Sequence, residues 1–388
     1  VKHQQIRTQT AEGLSRRALL LSSAAALGCG RRKATGFRGL CFVANQASRS
    51  IAVVDLTRFR LRKQIPLDAA PAAILADPVQ PKVYVLAPEA GTVFEIDAAA
   101  LRVTRRARAA NTAVEMRFAP QGGALWILSR DPAGLVELPL DSLRPRARIA
   151  TPPPDSFDVC ETGPAAVACA ASRTVSIAAL PGGPVHAIAC ADEPSLVRFR
   201  KDGRQLMVAS RAARSLTIFD CSTGGAVVRL PLPIEPRHFA VNSDGGQVFL
   251  TGDGMDAVVV VYPYETEVGE TFLAGHAPAG MAITDTPGYL MIANPEANTV
   301  TVLDFENRGK LVAAVQVGQE PGAIVLTPAR RGQDQYALVL NRKSGDLAVI
   351  RVNTLANSDP LRRYQPRPVF NLIPIGEGPV SAAVVAFT

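Results

Sequence analysis

Two histidines stand out among the residues of this 388-residue chain whose types and spacing could do chemistry. His238 lies in "IEPRHFAVNSDGG" and His276 in "GHAPAGMAIT", two Pro-containing segments one repeat apart. They lie at nearly equivalent positions, so the two imidazoles are expected to approach each other. With Glu235 or Glu320 as a third donor they make a candidate metal site, because two imidazoles and a carboxylate suit several transition metals. The same groups allow acid–base work, with His238 as the proton carrier and Glu235 or Glu320 as its partner. Arg237, Asp253, Asn294 and Glu320 are polar turn residues that could hold a ligand without reacting with it. Glu193, Glu377, Arg130, Arg173, Arg211, Arg214, Asp256, Asn298, Asn341 and Lys343 fall in corresponding turns. No C-x-x-C, C-x-x-C-H, G-x-x-x-x-G-K-S/T or G-x-S-x-G motif is present, which removes c-haem attachment, Cys-pair zinc sites, phosphate-cradling loops and nucleophile elbows from consideration.

The elements that must position these residues are short strands. In "LMIANPEANTVTVLD" (290–304) an apolar run ends at Asn294, a Pro-Glu-Ala-Asn turn follows, and Val300 and Val302 alternate with threonines. The same hairpin recurs with its first strand ending at Asn45, Ala87, Ser129, Ala170, Ser210, Gly252, Asn294 and Asn341, in steps of 42, 42, 41, 40, 42, 42 and 47 residues. After each hairpin comes a third strand, then a Pro-containing turn ("GQEPGAIVLTP", "GEGPVSAAVVAF"), then a fourth. Ala113 replaces the Pro in one unit. A period near 42 with four strands per unit predicts an all-β propeller of four-stranded antiparallel blades. Eight hairpins favour eight blades, with seven as the alternative. The first unit lacks a Pro-turn strand and the last supplies one, Ser381 to Phe387, so the C-terminal strand is expected to complete the first blade and remove two sheet edges.

These hairpins, followed by Gly-x-x-Pro segments, resemble the YVTN-repeat β-propellers over residues 37–388, with the motifs most degenerate in units 3 and 4. The resemblance implies a single propeller domain that acts as a non-enzymatic binding or scaffolding module, with its protein or small-molecule ligand on the loop face around the central channel. Family members are commonly seven-bladed. "EPRHFAVNSDGG" also resembles the Pro-Arg-His segment of lactonase-type propellers, which implies an alternative: a sugar-lactone hydrolase using Arg237 and His238, with Glu235 as partner. A further alternative follows from the eight-bladed haem-binding domain of the cytochrome-type nitrite reductases, which needs an axial histidine such as His238 or His276. No cofactor is expected under the first reading.

Residues 1–36 read as an export signal with a short linker. Ser15-Arg16-Arg17 precedes an apolar stretch and small residues. The paired arginines resemble a twin-arginine signal, and Gly28-Cys29 resembles the end of a lipobox. The expectation is a periplasmic or cell-surface protein, monomeric, with Cys29 as the candidate lipidated residue and any contact with the membrane made through that anchor. Cys160 and Cys169 flank Gly163-Pro164 and are a candidate disulfide across that turn. The net charge of +8 is concentrated in this leader, which carries seven Lys/Arg against Glu12 and leaves +2 for the rest. Arg130, Arg173, Arg211 and Arg214 could form a phosphate-reading patch, but acidic residues share their turns and nucleic acid is not the expected partner. The insertion 353–370, with Arg362, Arg363, Tyr364 and Arg367, reads as a solvated connection.

Overall fold

Each hairpin expected from the repeat forms, and each joins two further strands into a four-stranded antiparallel sheet. Eight such sheets are present in the computed structural model, which describes residues 36–357 and 368–387. The leader with Cys29 and the residues Arg362, Arg363, Tyr364 and Arg367 lie outside the described residues. Blades 2 to 8 each take four consecutive strands. Blade 1 takes Gly39–Asn45, Ser50–Asp55 and Arg60–Pro66 from the start of the domain and its inner strand, Pro379–Ala386, from the end. Leu40 pairs with Val385 and Phe42 with Ala383. The eight-blade expectation and the C-terminal closure both hold.

Burial follows position in the blade. The second and third strands are covered on both faces by neighbouring blades and read as continuous apolar runs; Gly39–Asn45, Ser50–Asp55 and Tyr289–Asn294 are buried at every residue. Outer strands such as Arg60–Pro66 face solvent. The core is therefore a series of slabs between adjacent sheets, as where Phe42 and Val53 of blade 1 share a cluster with Val85 and Phe94 of blade 2. The threonine alternation in 299–304 is not an inside–outside pattern. Thr301 is buried, and its hydroxyl accepts a hydrogen bond at 2.9 Å from the Asn294 amide.

One backbone contact places the loops. The residue after the outer strand donates its N–H to the carbonyl that closes the same blade's central hairpin: Leu67 to Arg49, Ala109 to Gly91, Cys190 to Arg173, Leu232 to Arg214, Ala274 to Asp256, Val317 to Asn298 and Ile375 to Gly345, all at 2.7–3.0 Å. The accepting residue has left-handed backbone in six of these seven, including Arg49, Arg173, Arg214 and Asn298. The central hairpin and the connection to the next blade thus emerge on one face, side by side.

Three sequence expectations need correction. The hairpin of unit 4 ends one residue earlier than its spacing suggested, because Cys169 pairs with Thr174 as Asn294 pairs with Thr299, and Ala170 opens a short 3-10 turn. Cys160 and Cys169 are free thiols. Ser156 lies opposite Ala168 and Cys160 binds back to Pro164, so the two cysteines sit at opposite ends of the strand Pro164–Cys169. Asn294 is 0 % exposed and is not a turn-tip ligand residue. Its amide braces its own hairpin beneath Gly275, where a Cβ would come within 2.7 Å of the Asn294 side chain. Asn45 does the same for ring closure, donating to the Ile375 carbonyl at 2.6 Å.

Blades 2 and 3 are joined by a buried charge. Glu95, 2 % exposed, accepts from Arg105, from Thr104 at 2.6 Å and from Lys82 at 3.3 Å, and Arg105 also donates to the Leu140 and Asp141 carbonyls at 2.6 Å. Burial raises the Glu95 pKa, but the bonds from Arg105, Thr104 and Lys82 outweigh it and hold the carboxyl at about 2. A folded pKa below the unfolded one stabilises fully above the ordinary glutamate range and ceases to do so as pH falls toward about 2. Glu95→Ala is expected to cost about 2–4 kcal/mol near neutral pH, reduced from a fully buried pair because Arg105 and Lys82 reach solvent. Urea unfolding at pH 7 and pH 3 checks this: the gap between wild type and variant should narrow at the lower pH.

Candidate functional site

The inner strands carry the channel. In blade 6 the inner strand Glu235–Val241 has a bulge: Pro236 lies opposite Gly252 and His238 opposite Thr251, so Arg237 is the extra residue. The bulge turns Arg237 outward to an ion pair with Asp253 and leaves His238 facing the mouth. The residues at the same offset from the Pro in blades 7, 8 and 1 are Gly280, Ala323 and Ser381. Gly280 is required by close approach, since a Cβ there would come 2.3 Å from the Gly322 carbonyl. Small residues on one side and an imidazole on the other leave a cavity of about 780 Å³, within the ordinary range for small-molecule sites. Its walls include His238, Gly280, Glu296, Glu320, Arg342 and Lys343, with Val380 of blade 1 closing the far side.

The turn residues around this cavity are held by the neighbouring blade's hairpin. The residue before each Pro meets the residue that closes the preceding hairpin: Arg173 pairs with Glu193 at 3.6 Å, Arg214 with Glu235 at 3.0 Å, the Asp256 carboxylate accepts from the Ala277 N–H at 3.0 Å, and the Asn298 side chain accepts from the Glu320 N–H at 2.9 Å. Glu235 is thereby engaged away from His238. Glu320 lies 3.9 Å from Lys343, and its backbone carbonyl accepts from the Arg342 N–H at 2.9 Å. Arg173 and Arg214 are neutralised by these carboxylates, so the four-arginine phosphate patch does not form as an uncompensated set.

His238 and His276 do not form a pair. His276 lies two residues before its blade's Pro and His238 two residues after its own, so the near-equivalence read from sequence fails by four positions. His276 is exposed and bridges two blades, with Nδ1 2.8 Å from Asp256 and Nε2 2.7 Å from Glu296. Bonds to two carboxylates require both nitrogens protonated, and the Asp256 bond, the Asp256 charge and the Glu296 charge, in that order, raise its pKa. Burial lowers the pKa of His238, and the Arg237 charge lowers it further against a smaller opposing effect of Asp253. His238 is thus the neutral imidazole of the two, its ring nitrogens free of protein hydrogen bonds and directed to a cavity. Among the described residues no cluster of three His, Cys, Asp or Glu side chains has metal-binding geometry.

The sequence missed a second set of channel residues. On the inner strands of blades 3 to 5, Arg117 reaches Glu115 at 2.7 Å and Asp158 at 3.6 Å, and Arg198 lies near them. The alternation in "VEMRF" and "SLVRF" was the available signal, since every second residue of an inner strand shares one face. This half of the channel carries its own compensated charges, whereas the half at blades 6 to 8 and 1 is open.

No family model matches this chain, and no curated protein matches its sequence. Its fold is widely shared among solved structures. It is similar to dihydro-heme d1 dehydrogenase NirN in complex with DHE, with a TM-score of 0.73 at 16 % identity over 92 % of this chain and 78 % of that one. It is also similar to Kuenenia stuttgartiensis hydrazine synthase (TM-score 0.58, 18 % identity, 73 % and 95 % covered) and to a functionally unknown protein from Desulfotomaculum acetoxidans DSM 771 (0.58, 15 %, 71 % and 94 %). At these identities the likeness establishes the propeller architecture. Among the described residues no helix is long and apolar enough to cross a membrane.

The two histidines should separate in an NMR titration of the imidazole Cε1–H signals. His276 is expected to titrate above the ordinary histidine range and His238 below it. The bridge to Asp256 and Glu296 is then complete at low pH and dissolves as pH rises through the raised pKa. His276→Gln should leave the His238 titration unchanged; coincident titrations of the two rings would contradict the assignment.

Proposed function

We propose that this chain is an exported binding propeller of the YVTN-repeat type whose ligand, an anionic small molecule, seats in the mouth formed by blades 6 to 8 and 1. The observation that carries this reading is the cavity itself: about 780 Å³, bordered by small residues, with a neutral imidazole on one wall and the cations Arg342 and Lys343 on another. Glu296 is engaged by His276 and Glu320 lies 3.9 Å from Lys343, which leaves Arg342 as the main anion-binding charge. Glycines there expose backbone that a flat ligand can approach closely. The hydrolase alternative has weaker support. A general base is normally oriented by a carboxylate, yet Glu235 is paired with Arg214 and Asp253 with Arg237, and Arg237, which shares a smaller cleft of about 300 Å³ with His238, does not line the larger cavity. Export is supported by the basic–apolar–small pattern of residues 15–29, with Cys29 as the residue a lipid would modify.

A second reading is favoured by one observation, the free ring nitrogens of His238, together with the overlap of this chain with the NirN propeller. A haem-type tetrapyrrole fits the residues present. His238 would meet the iron, and Arg342 and Lys343 would meet the carboxylate side chains. Bound there, such a group would supply redox or electron-transfer chemistry. The chain's own residues would contribute an imidazole donor from His238, charge neutralisation by Arg342 and Lys343, and exclusion of water by Pro295, Pro321 and Val380.

Titration with haemin, an iron-free porphyrin and a simple dicarboxylate, followed by absorbance and calorimetry, tests both readings. Arg342→Glu with Lys343→Glu should weaken every anionic ligand by about tenfold or more. His238→Ala should abolish only the spectral shift given by haemin. Lactone hydrolysis that disappears in His238→Ala would overturn the non-enzymatic reading.

A further inference from the structure

The modest charge of the domain conceals a strong polarity. Residues 37–150, which build blades 1 to 3 apart from the closing strand, hold sixteen Lys/Arg against ten Asp/Glu; residues 151–388 hold nineteen against twenty-three. The excess lies on the outer wall. The outer strand of blade 1, Arg60–Pro66, presents Arg60, Arg62 and Lys63, and that of blade 2, Arg102–Arg108, presents Arg102, Arg106 and Arg108, all exposed and with no acidic residue in either strand. Blade 3 adds exposed Arg148 on Ala147–Ala150. Compensation is partial. Asp68 pairs with Arg106, and Asp55 meets Arg58 at 3.3 Å.

Two features adjoin this wall. A groove of about 460 Å³ on blade 1 is lined by Arg58, Arg60, Leu61 and Arg62 together with Asp55. Beside it lies the seam between blades 8 and 1, where Phe370 meets Phe59 edge-to-face with ring centroids 5.0 Å apart and the Asn371 amide donates to the Phe59 carbonyl at 3.0 Å. Leu61, Phe370 and Leu372 remain 38, 46 and 49 % exposed there. Edge protection alone does not account for the pattern. Outer strands elsewhere do without it: Ala226–Pro231 has a single arginine, Glu267–Leu273 is acidic and Val369–Pro374 carries no charge.

We propose that the outer wall of blades 1 to 3, with the apolar seam to blade 8, docks on an anionic phospholipid surface, the groove at Arg58, Arg60 and Arg62 receiving phosphate headgroups. Cations flanking exposed Leu and Phe match a lipid interface, where headgroups meet the charges and side chains such as Leu61 and Phe370 enter the boundary. Nucleic acid fits less well, because the exposed Leu61, Phe370 and Leu372 beside the cations offer mainly aliphatic surface, and Phe370 is the one exposed aromatic among them and already packs on Phe59. The covalent path agrees. The chain enters the domain at Gly36, packed on Thr57, next to Arg58, and the Thr57 hydroxyl donates to the Phe37 carbonyl at 3.2 Å. The described chain therefore begins beside this wall.

The test is vesicle flotation of the full chain carrying Cys29→Ser, which removes the lipidation question, with neutral phosphatidylcholine vesicles and with equal parts phosphatidylcholine and phosphatidylglycerol. The expected result is at least about tenfold stronger partition to the anionic vesicles, weakened by salt and lost in Arg60→Glu/Arg62→Glu/Lys63→Glu/Arg102→Glu. Unchanged thermal melting verifies that variant's fold, and Glu267→Lys on blade 6 serves as a control that keeps binding. Equal partition of wild type and the quadruple variant overturns the proposal. So does preference for duplex DNA over anionic vesicles at the same salt, which would assign the wall to nucleic acid. Lipidation of Cys29 is read separately, by mass spectrometry of the protein from its own membranes.

Discussion

A ring of eight sheets depends on one pairing that the chain can make only when complete: Pro379–Ala386 against Gly39–Asn45. Without it blade 1 keeps a bare inner edge and the slab cores on either side of that sheet lose a wall. The pairing is reinforced where the two ends meet. Asn45 and Gln64 both donate to the Ile375 carbonyl at 2.6 Å, so the connection from blade 8 is gripped by a buried side chain and an outer-strand side chain of blade 1 before it turns into the closing strand. Val380, in that strand, forms one side of the candidate site. Closure and the cavity are therefore parts of one structural event.

The backbone bond from connection to hairpin, repeated in seven of the eight blades, gives similar sheets a face with fixed loops, and departures from the repeat then make a site. Where the pre-Pro residue is glutamate and the preceding hairpin closes with arginine, as at Glu193 and Glu235, the charges cancel. Where the hairpin closes with Asp256 or Asn298, the side chain is spent on a backbone N–H instead. His238, set inward by a bulge and opposed by Gly280 and Ala323, escapes these pairings. The asymmetry of the mouth comes from a few substitutions on a symmetric frame, which is how repeat scaffolds commonly gain function.

Blade number, strand count and closure were legible because a 42-residue period leaves few architectures and because the missing and surplus strands lie at opposite ends. The candidate site was legible only in part. His238, Glu320 and Lys343 do line one cavity, since loop position follows from the repeat. The partners of Glu235, Arg214 and Asp253 were not legible, because they depend on which hairpin abuts which connection. Asn294 looked like a turn tip but is buried, since a side chain at the end of a second strand lies beneath the next connection's glycine. Cys160 and Cys169 looked adjacent across a turn because strand register, which separates them, is set by bonds that spacing does not reveal. The basic wall was hidden for a different reason: a net charge reports a sum and carries no direction.

On the proposed function, blades 6 to 8 and 1 hold a ligand around an unpaired imidazole. The most direct measurement is a crystal structure of the protein with haemin or the tightest anionic ligand from titration. Ligand density is expected between His238 and Arg342, over Gly280 and Gly322. Density confined to another surface, or an empty mouth at saturating ligand, would contradict it.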